Sequence, residues 1–153
     1  MKTRKSWRAK MDNPNLPKVV EIPPKMQKRF GSGTMVLPSA HDVNAYVSAI
    51  PVGGLTTVSR IRQAMAEKYM ANTACPLVTG IMMWIVAEAA DEEARAGELR
   101  ITPYWRVVKD DGSLNPKFPG GIERQEEMLR DEGHRIVAGR GKQAPRVALS
   151  ELQ

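Results

Sequence analysis

Apolar positions recur at helical spacing in four stretches of the chain. Val43, Tyr46, Val47 and Ile50 fall on one face of a first helix, with Asp42 as its expected N-cap. Pro51 and the Gly53-Gly54 pair stop it. A second helix is predicted from about Thr57 to about Tyr69, burying Ile61, Met65 and Ala64. A short polar turn, Asn72 to Cys75, follows. Pro76 then stands in the first turn of a third helix, where its missing N–H costs nothing. That helix runs through Ile81, Trp84, Ile85 and Ala89 to about Ala96, and Gly97 ends it. The fourth spans Ile122 to Glu132, with Ile122, Gln125/Glu126 and Leu129 along one line and Gly133 as its cap.

Between the third and fourth helices the period changes. Arg100 to Lys109 reads as an extended stretch interrupted by Pro103, and Asp110-Asp111-Gly112 is a turn signal. Pro116, Pro119 and Gly120-Gly121 make a rigid loop. Upstream, Pro14, Pro17, Pro23 and Pro24 break up any helix, and Gly31 and Gly33 follow. The pattern predicts an extended, Pro-rich arm over 1–35, anchored at its end by Met35, Val36 and Leu37. A folded domain over 36–138 and a Gly/Pro-containing tail over 139–153 complete the chain. No internal repeat is present. The fold class is α/β, mostly helical with a short β-hairpin.

At 153 residues, 42% hydrophobic and 26% charged, the chain has the make-up of one soluble globular core. No run approaches the roughly 18 apolar residues of a membrane span. The basic start is followed by no apolar stretch, unlike a secretory signal. A single cysteine rules out an internal disulfide and suits a reducing compartment, with cytoplasm as the expected location. The charge is uneven. Residues 1–30 carry nine Lys/Arg, including Lys2, against Asp12 and Glu21, whereas the other 123 residues carry 14 basic and 15 acidic side chains. Such an arm suits phosphate contact, although a solvated tail that aids solubility has the same composition.

No standard catalytic set is present. His41 and His134 lie far apart and Cys75 stands alone, so no metal-ligand spacing appears, and neither does a phosphate-binding loop. No cofactor or metal is expected. The two Gly pairs are more often turns than phosphate cradles.

Four segments in fixed order nevertheless resemble the DNA-binding domain of the O6-alkylguanine-DNA alkyltransferases. They are Ile50-Pro51 with Gly53 and then Leu55 to Ile61; Val78-Thr79-Gly80 in the third helix; Pro103-Tyr104-Trp105-Arg106-Val107-Val108, similar to the reactive PCHRVV; and Asp111 to Leu114, then Phe118-Pro119-Gly120-Gly121-Ile122, ending at Leu129 to Gly133. The resemblance covers about residues 41–136. Its third and fourth segments are the specific part, since order, spacing and the Gly pair coincide.

The departures decide what the resemblance implies. The family uses a cysteine thiolate, activated by the next histidine with a glutamate behind it. Here Tyr104 stands for the cysteine and Trp105 for the histidine, while Glu132 matches the glutamate. A phenol of ordinary pKa about 10 with no adjacent base is a poor acceptor, and an indole is no base at all. Cys75 lies far from this segment and reads as a small buried or cap residue. Val58 matches the tyrosine that helps rotate the nucleotide, and Leu77 the arginine that fills the vacated stack. Leu77 is read either as an intercalating wedge or as core. Glu132 is expected to bond the Trp105 N–H or the Tyr104 O–H.

The resemblance therefore implies a small winged helix-turn-helix domain of the alkyltransferase-like branch, which also lacks the acceptor cysteine and senses lesions for excision repair. Thr57, Val58, Ser59, Leu77, Thr79, Gly80 and Arg106 are the expected DNA contacts, in the minor groove of a duplex. Tyr104, Trp105, Phe118 and Gly120 are the expected lesion pocket, unless their rings have filled it as core. A monomer and an excision-repair partner are expected, and no membrane. Two other readings stay open: a surface reused for protein contact, and an enzyme of altered chemistry using Tyr104.

Overall fold

The computed structural model describes residues 4–152; Lys2 of the basic segment and the final Gln153 lie outside the described residues. The chain runs α1 (Trp7–Lys10), β1 (Lys18–Glu21), α2 (Gln27–Phe30), β2 (Thr34–Leu37), α3 (Ala40–Ser48), β3 (Thr56–Thr57) and α4 (Val58–Lys68). It continues through β4 (Thr73–Ala74), α5 (Pro76–Arg95), β5 (Val107–Val108), α6 (Gly121–Asp131), β6 (Ile136–Val137) and β7 (Arg146–Val147). The class is mixed α/β.

The centre is α5. Pro76 occupies its first turn, as its missing N–H allows, and Gly97 lies just past its end with φ +97°. Met82, Met83, Ile85, Val86, Ala87, Ala89 and Ala90 are all buried, so the helix is enclosed on most of its surface by α1, α3 and α4. Around it collect Val43 and Val47 of α3 and Ile61 and Met65 of α4, all buried. The periodic helices therefore appear where the apolar spacing placed them. One cap differs. Ser39, not Asp42, is the N-cap of α3: its hydroxyl accepts from the Asp42 N–H, and the Asp42 carboxylate accepts from the Ser39 N–H. Asp42 sits at the third position of this capping box, so the helix starts earlier than the carboxylate suggested.

The first 35 residues do not form an extended arm. β1 pairs antiparallel with β2, and β2 pairs parallel with β4, giving a sheet of order β1-β2-β4. Met11 and Ile22 are buried, and Trp7 packs edge to face on Trp84 of α5 with ring centroids 4.7 Å apart. Glu92 of α5 accepts hydrogen bonds from the Trp7 and Arg8 N–H groups. The prolines do prevent long helices. The sparse apolar residues between them nevertheless suffice to dock the segment.

The downstream expectations also change. Of the stretch Arg100 to Lys109 only Val107–Val108 is strand, pairing parallel with β3, and Tyr104–Arg106 form a 3-10 turn. The antiparallel hairpin is β6 with β7, and much of it lies in the stretch expected to be tail. Val147 is fully buried, and the carbonyl of Leu152 accepts from Arg60 at 2.7 Å. No described helix is long and apolar enough to cross a membrane.

Candidate nucleic-acid interface

The 3-10 turn after Pro103 points the Tyr104 ring into the core, where it is 1% exposed. It meets Trp105 and Phe118 edge to face, with centroids 5.4 and 5.6 Å away. Its hydroxyl donates a long bond, 3.4 Å, to the Pro119 carbonyl. Burial raises the phenol's pKa above its ordinary value, so it stays protonated at neutral pH. Of the two readings of this position, open pocket or filled core, the Tyr104 ring takes the second. Phe118 is buried beside it, while Trp105 is half-buried.

Beneath this turn lies a closed polar knot. Glu132, at the end of α6, accepts from the Trp105 indole N–H at 2.9 Å, as anticipated. The larger part of its role was not visible in the sequence. Arg106 gives it two further bonds, from Nε at 2.9 Å and Nη2 at 2.7 Å, and donates from Nη1 to the Ile50 carbonyl at 2.6 Å. Both side chains are about nine-tenths buried. Burial pushes the Glu132 carboxyl upward, but the bonds from Arg106 and Trp105 together outweigh it and hold the pKa below the usual carboxylate range. Arg106 was expected on DNA; it is buried, and its guanidinium is committed to this pair. Gln125 completes the support. Fully buried in α6, it donates to the carbonyls of Val107 and Trp105 and accepts from the Asn115 N–H. Its place on one line with Leu129 was the only sequence signal of that role.

The outer surface is different in kind. At the start of α5, Leu77 is 70% exposed, so it is not core. Gly80 is exposed, and Ile81 and Trp84 are 41% and 38% exposed on the same side. The loop from Asn115 to Phe118 lines the same groove, together with Val58 and Lys109. The groove has a volume of about 380 Å³ and is lined mainly by apolar side chains. Phe118 reaches it; Tyr104 and Trp105 do not line it.

The remaining expected contacts divide. Thr79 is completely buried, with its hydroxyl unpartnered among the described residues, so it faces inward from α5. Thr57 is the N-cap of α4, its hydroxyl accepting from Arg60 N–H. Ser59 is exposed and donates to Asp110. Gly120 has φ +79°, and a Cβ there would sit 2.6 Å from the side chain of Arg124. It is a tight turn into α6 rather than a wall of the groove. Cys75 is buried and caps α5 without a side-chain bond. No group of three metal-ligating side chains lies together among the described residues.

No protein-family model and no curated protein matches the chain. Solved structures do. One is the S. pombe alkyltransferase-like protein in complex with DNA, at 19% identity and a TM-score of 0.52, covering 74% of this chain and 92% of that one. A second is S. pombe Atl1 bound to damaged DNA containing O6-carboxymethylguanine, at 19% identity, a TM-score of 0.49 and the same coverage. The fold of this chain is that of the alkyltransferase-like proteins.

Proposed function

We propose that this chain is a non-catalytic DNA-binding protein that recognises O6-alkylguanine through the groove beside α5. The carrying observation is the pairing of a sealed reactive segment with an open apolar groove. Where the family's chemistry would sit, Tyr104 is protonated and 1% exposed, and the Glu132 carboxylate is committed to Arg106 and Trp105. Beside it, Leu77, Ile81 and Trp84 stay exposed around a space in the size range of small-molecule sites. The shared fold with a protein solved on DNA supports the same reading.

In this reading α4 and α5 act as a winged helix-turn-helix within the 36–138 domain, and α5 enters the minor groove of a duplex. Leu77 is the wedge that fills the position of the extruded base, an apolar replacement for a cationic one. The base enters between α5 and Phe118, against Val58 and Gly80. The chain acts as a cytoplasmic monomer and hands the marked site to an excision-repair protein.

The test is fluorescence anisotropy on matched duplexes with and without one O6-methylguanine, followed across a salt series. Tighter binding to the lesion, with the protein's mass unchanged after incubation, is the expected result. Equal affinity for both duplexes leaves a DNA-binding protein without lesion recognition. No duplex binding at low salt overturns the reading altogether.

A further inference from the structure

The charge count along the sequence assigns the whole cationic excess to the first 30 residues. The fold creates a second concentration that such a count hides. The β6–β7 hairpin closes over the loop after β5, and between them opens a cleft of about 1100 Å³. Its rim carries Lys109 from the loop and Arg140, Lys142 and Arg146 from the hairpin. All four are exposed, and none forms an ion pair within the described residues. The one carboxylate in the lining, Asp111, accepts from the Ser113 N–H.

Resting on the DNA-binding reading, we infer that this cleft binds the phosphodiester backbone of the strand that leaves the α5 groove. Three observations support this. First, Lys109 and Pro116 line both the groove and the cleft, so the two are continuous. Lys109 therefore stands where a strand with a base in the groove would pass on into the cleft. Second, the cleft has cations spread along it but no aromatic ring in its lining, which suits contact with a backbone rather than reading of a base.

Third, the hairpin is held in place rather than free. The Leu114 N–H donates to the Pro145 carbonyl, and the Val147 N–H donates to the Gly112 carbonyl. Its tip needs glycine: a Cβ on Gly139 would lie 1.9 Å from the Gln143 carbonyl oxygen, and Gly141 has φ +61°. These two glycines flank Arg140 and present it with Lys142 on a fixed loop. A pre-set loop loses little freedom when its cations meet phosphates.

The experiment compares the wild-type chain with the double variant Arg140→Gln/Lys142→Gln on one duplex, from about 50 to 200 mM salt. Arg95→Gln/Arg130→Gln serves as the control of equal charge change, and thermal melting verifies that every variant folds. Each phosphate contact contributes roughly 0.9 to the slope of log affinity against log salt. The cleft variant is expected to lose roughly 1–2 from that slope and about tenfold or more in affinity, while the control keeps the wild-type slope. Wild-type binding with an unchanged slope in the cleft variant overturns the cleft and leaves DNA binding standing. An equal loss in the control also overturns it, because net charge alone then accounts for the effect. A wild-type chain that binds no duplex overturns both proposals.

Discussion

The knot around Glu132 touches the aromatic row Trp105–Tyr104–Phe118 at Trp105 and the groove beside α5 touches it at Phe118, yet the two obey opposite rules. In the knot, the Glu132 carboxylate is answered by the Trp105 indole and the Arg106 guanidinium, which also reaches the Ile50 carbonyl. In the groove, leucine, isoleucine and tryptophan side chains face outward. Burying a polar group without partners is costly, and exposing a cluster of apolar groups is unfavourable unless a partner covers it. The first region has therefore been absorbed into the structure, whereas the second retains the signature of a contact surface. Tyr104 and the Glu132 knot seal one region, and the surface beside it stays open.

The strongest way to break this contrast is to remove the carboxylate. Glu132→Ala leaves the Arg106 guanidinium buried and unpaired and is expected to cost about 3–5 kcal/mol in denaturant unfolding. A loss below about 1 kcal/mol, the level of an exposed pair, would show that the knot is not a buried structural unit. Acid should act on the same point. Glu132 and Asp42 both have pKa values held below their ordinary ones, 4.5 and 3.8. Their contribution is thus fully present above those values and fades as the pH falls through the lower, folded-state ones. A pH series of melting temperatures is expected to decline there, and Glu132→Ala should decline less steeply than the wild type.

Leu77→Ala probes the other region and should do the reverse. Stability is expected to stay within about 0.5 kcal/mol, as for an exposed side chain, while duplex affinity falls about fivefold, near 1 kcal/mol. Anisotropy and melting on the same sample separate the two effects. The mildest change is Tyr104→Phe, which removes the hydroxyl and its long bond to Pro119. Roughly 0.5–1 kcal/mol of stability and no change in DNA affinity are expected. Loss of lesion preference in this variant would mean that the phenol reaches the base, and the division between sealed and open regions would fail.

The helices were readable because their signals are local. Apolar spacing, Pro76 inside the start of α5 and Gly97 past its end all act within a turn or two. The bond from Trp105 to Glu132 also followed, through the resemblance to a known motif order. Arg106 was misplaced for a reason of distance: its partners are Glu132 and Ile50, 26 and 56 residues away in sequence. Leu77 and Thr79 show the same limit on a smaller scale. Two positions apart on one helix, they face solvent and core respectively, and only the packing around α5 decides which is which. The N-terminal segment was read by its charges and prolines, which say nothing of where Trp7, Met11 and Ile22 find cover. Deleting that segment would consequently strip core residues along with charges, so neutralising Lys25 and Lys28 is the cleaner way to ask whether it touches DNA.

The contact between Trp7 and Trp84 gives the molecule an optical property. Two indoles 4.7 Å apart and steeply inclined couple their electronic transitions, and one of them borders the groove. Circular dichroism in the indole bands, or quenching of intrinsic emission, thereby reports on the docked N-terminal segment and on the occupancy of the groove in one unlabelled sample. A nucleobase arriving beside Trp84 would change the signal while the pair stays together. Release of the segment would abolish the coupling itself.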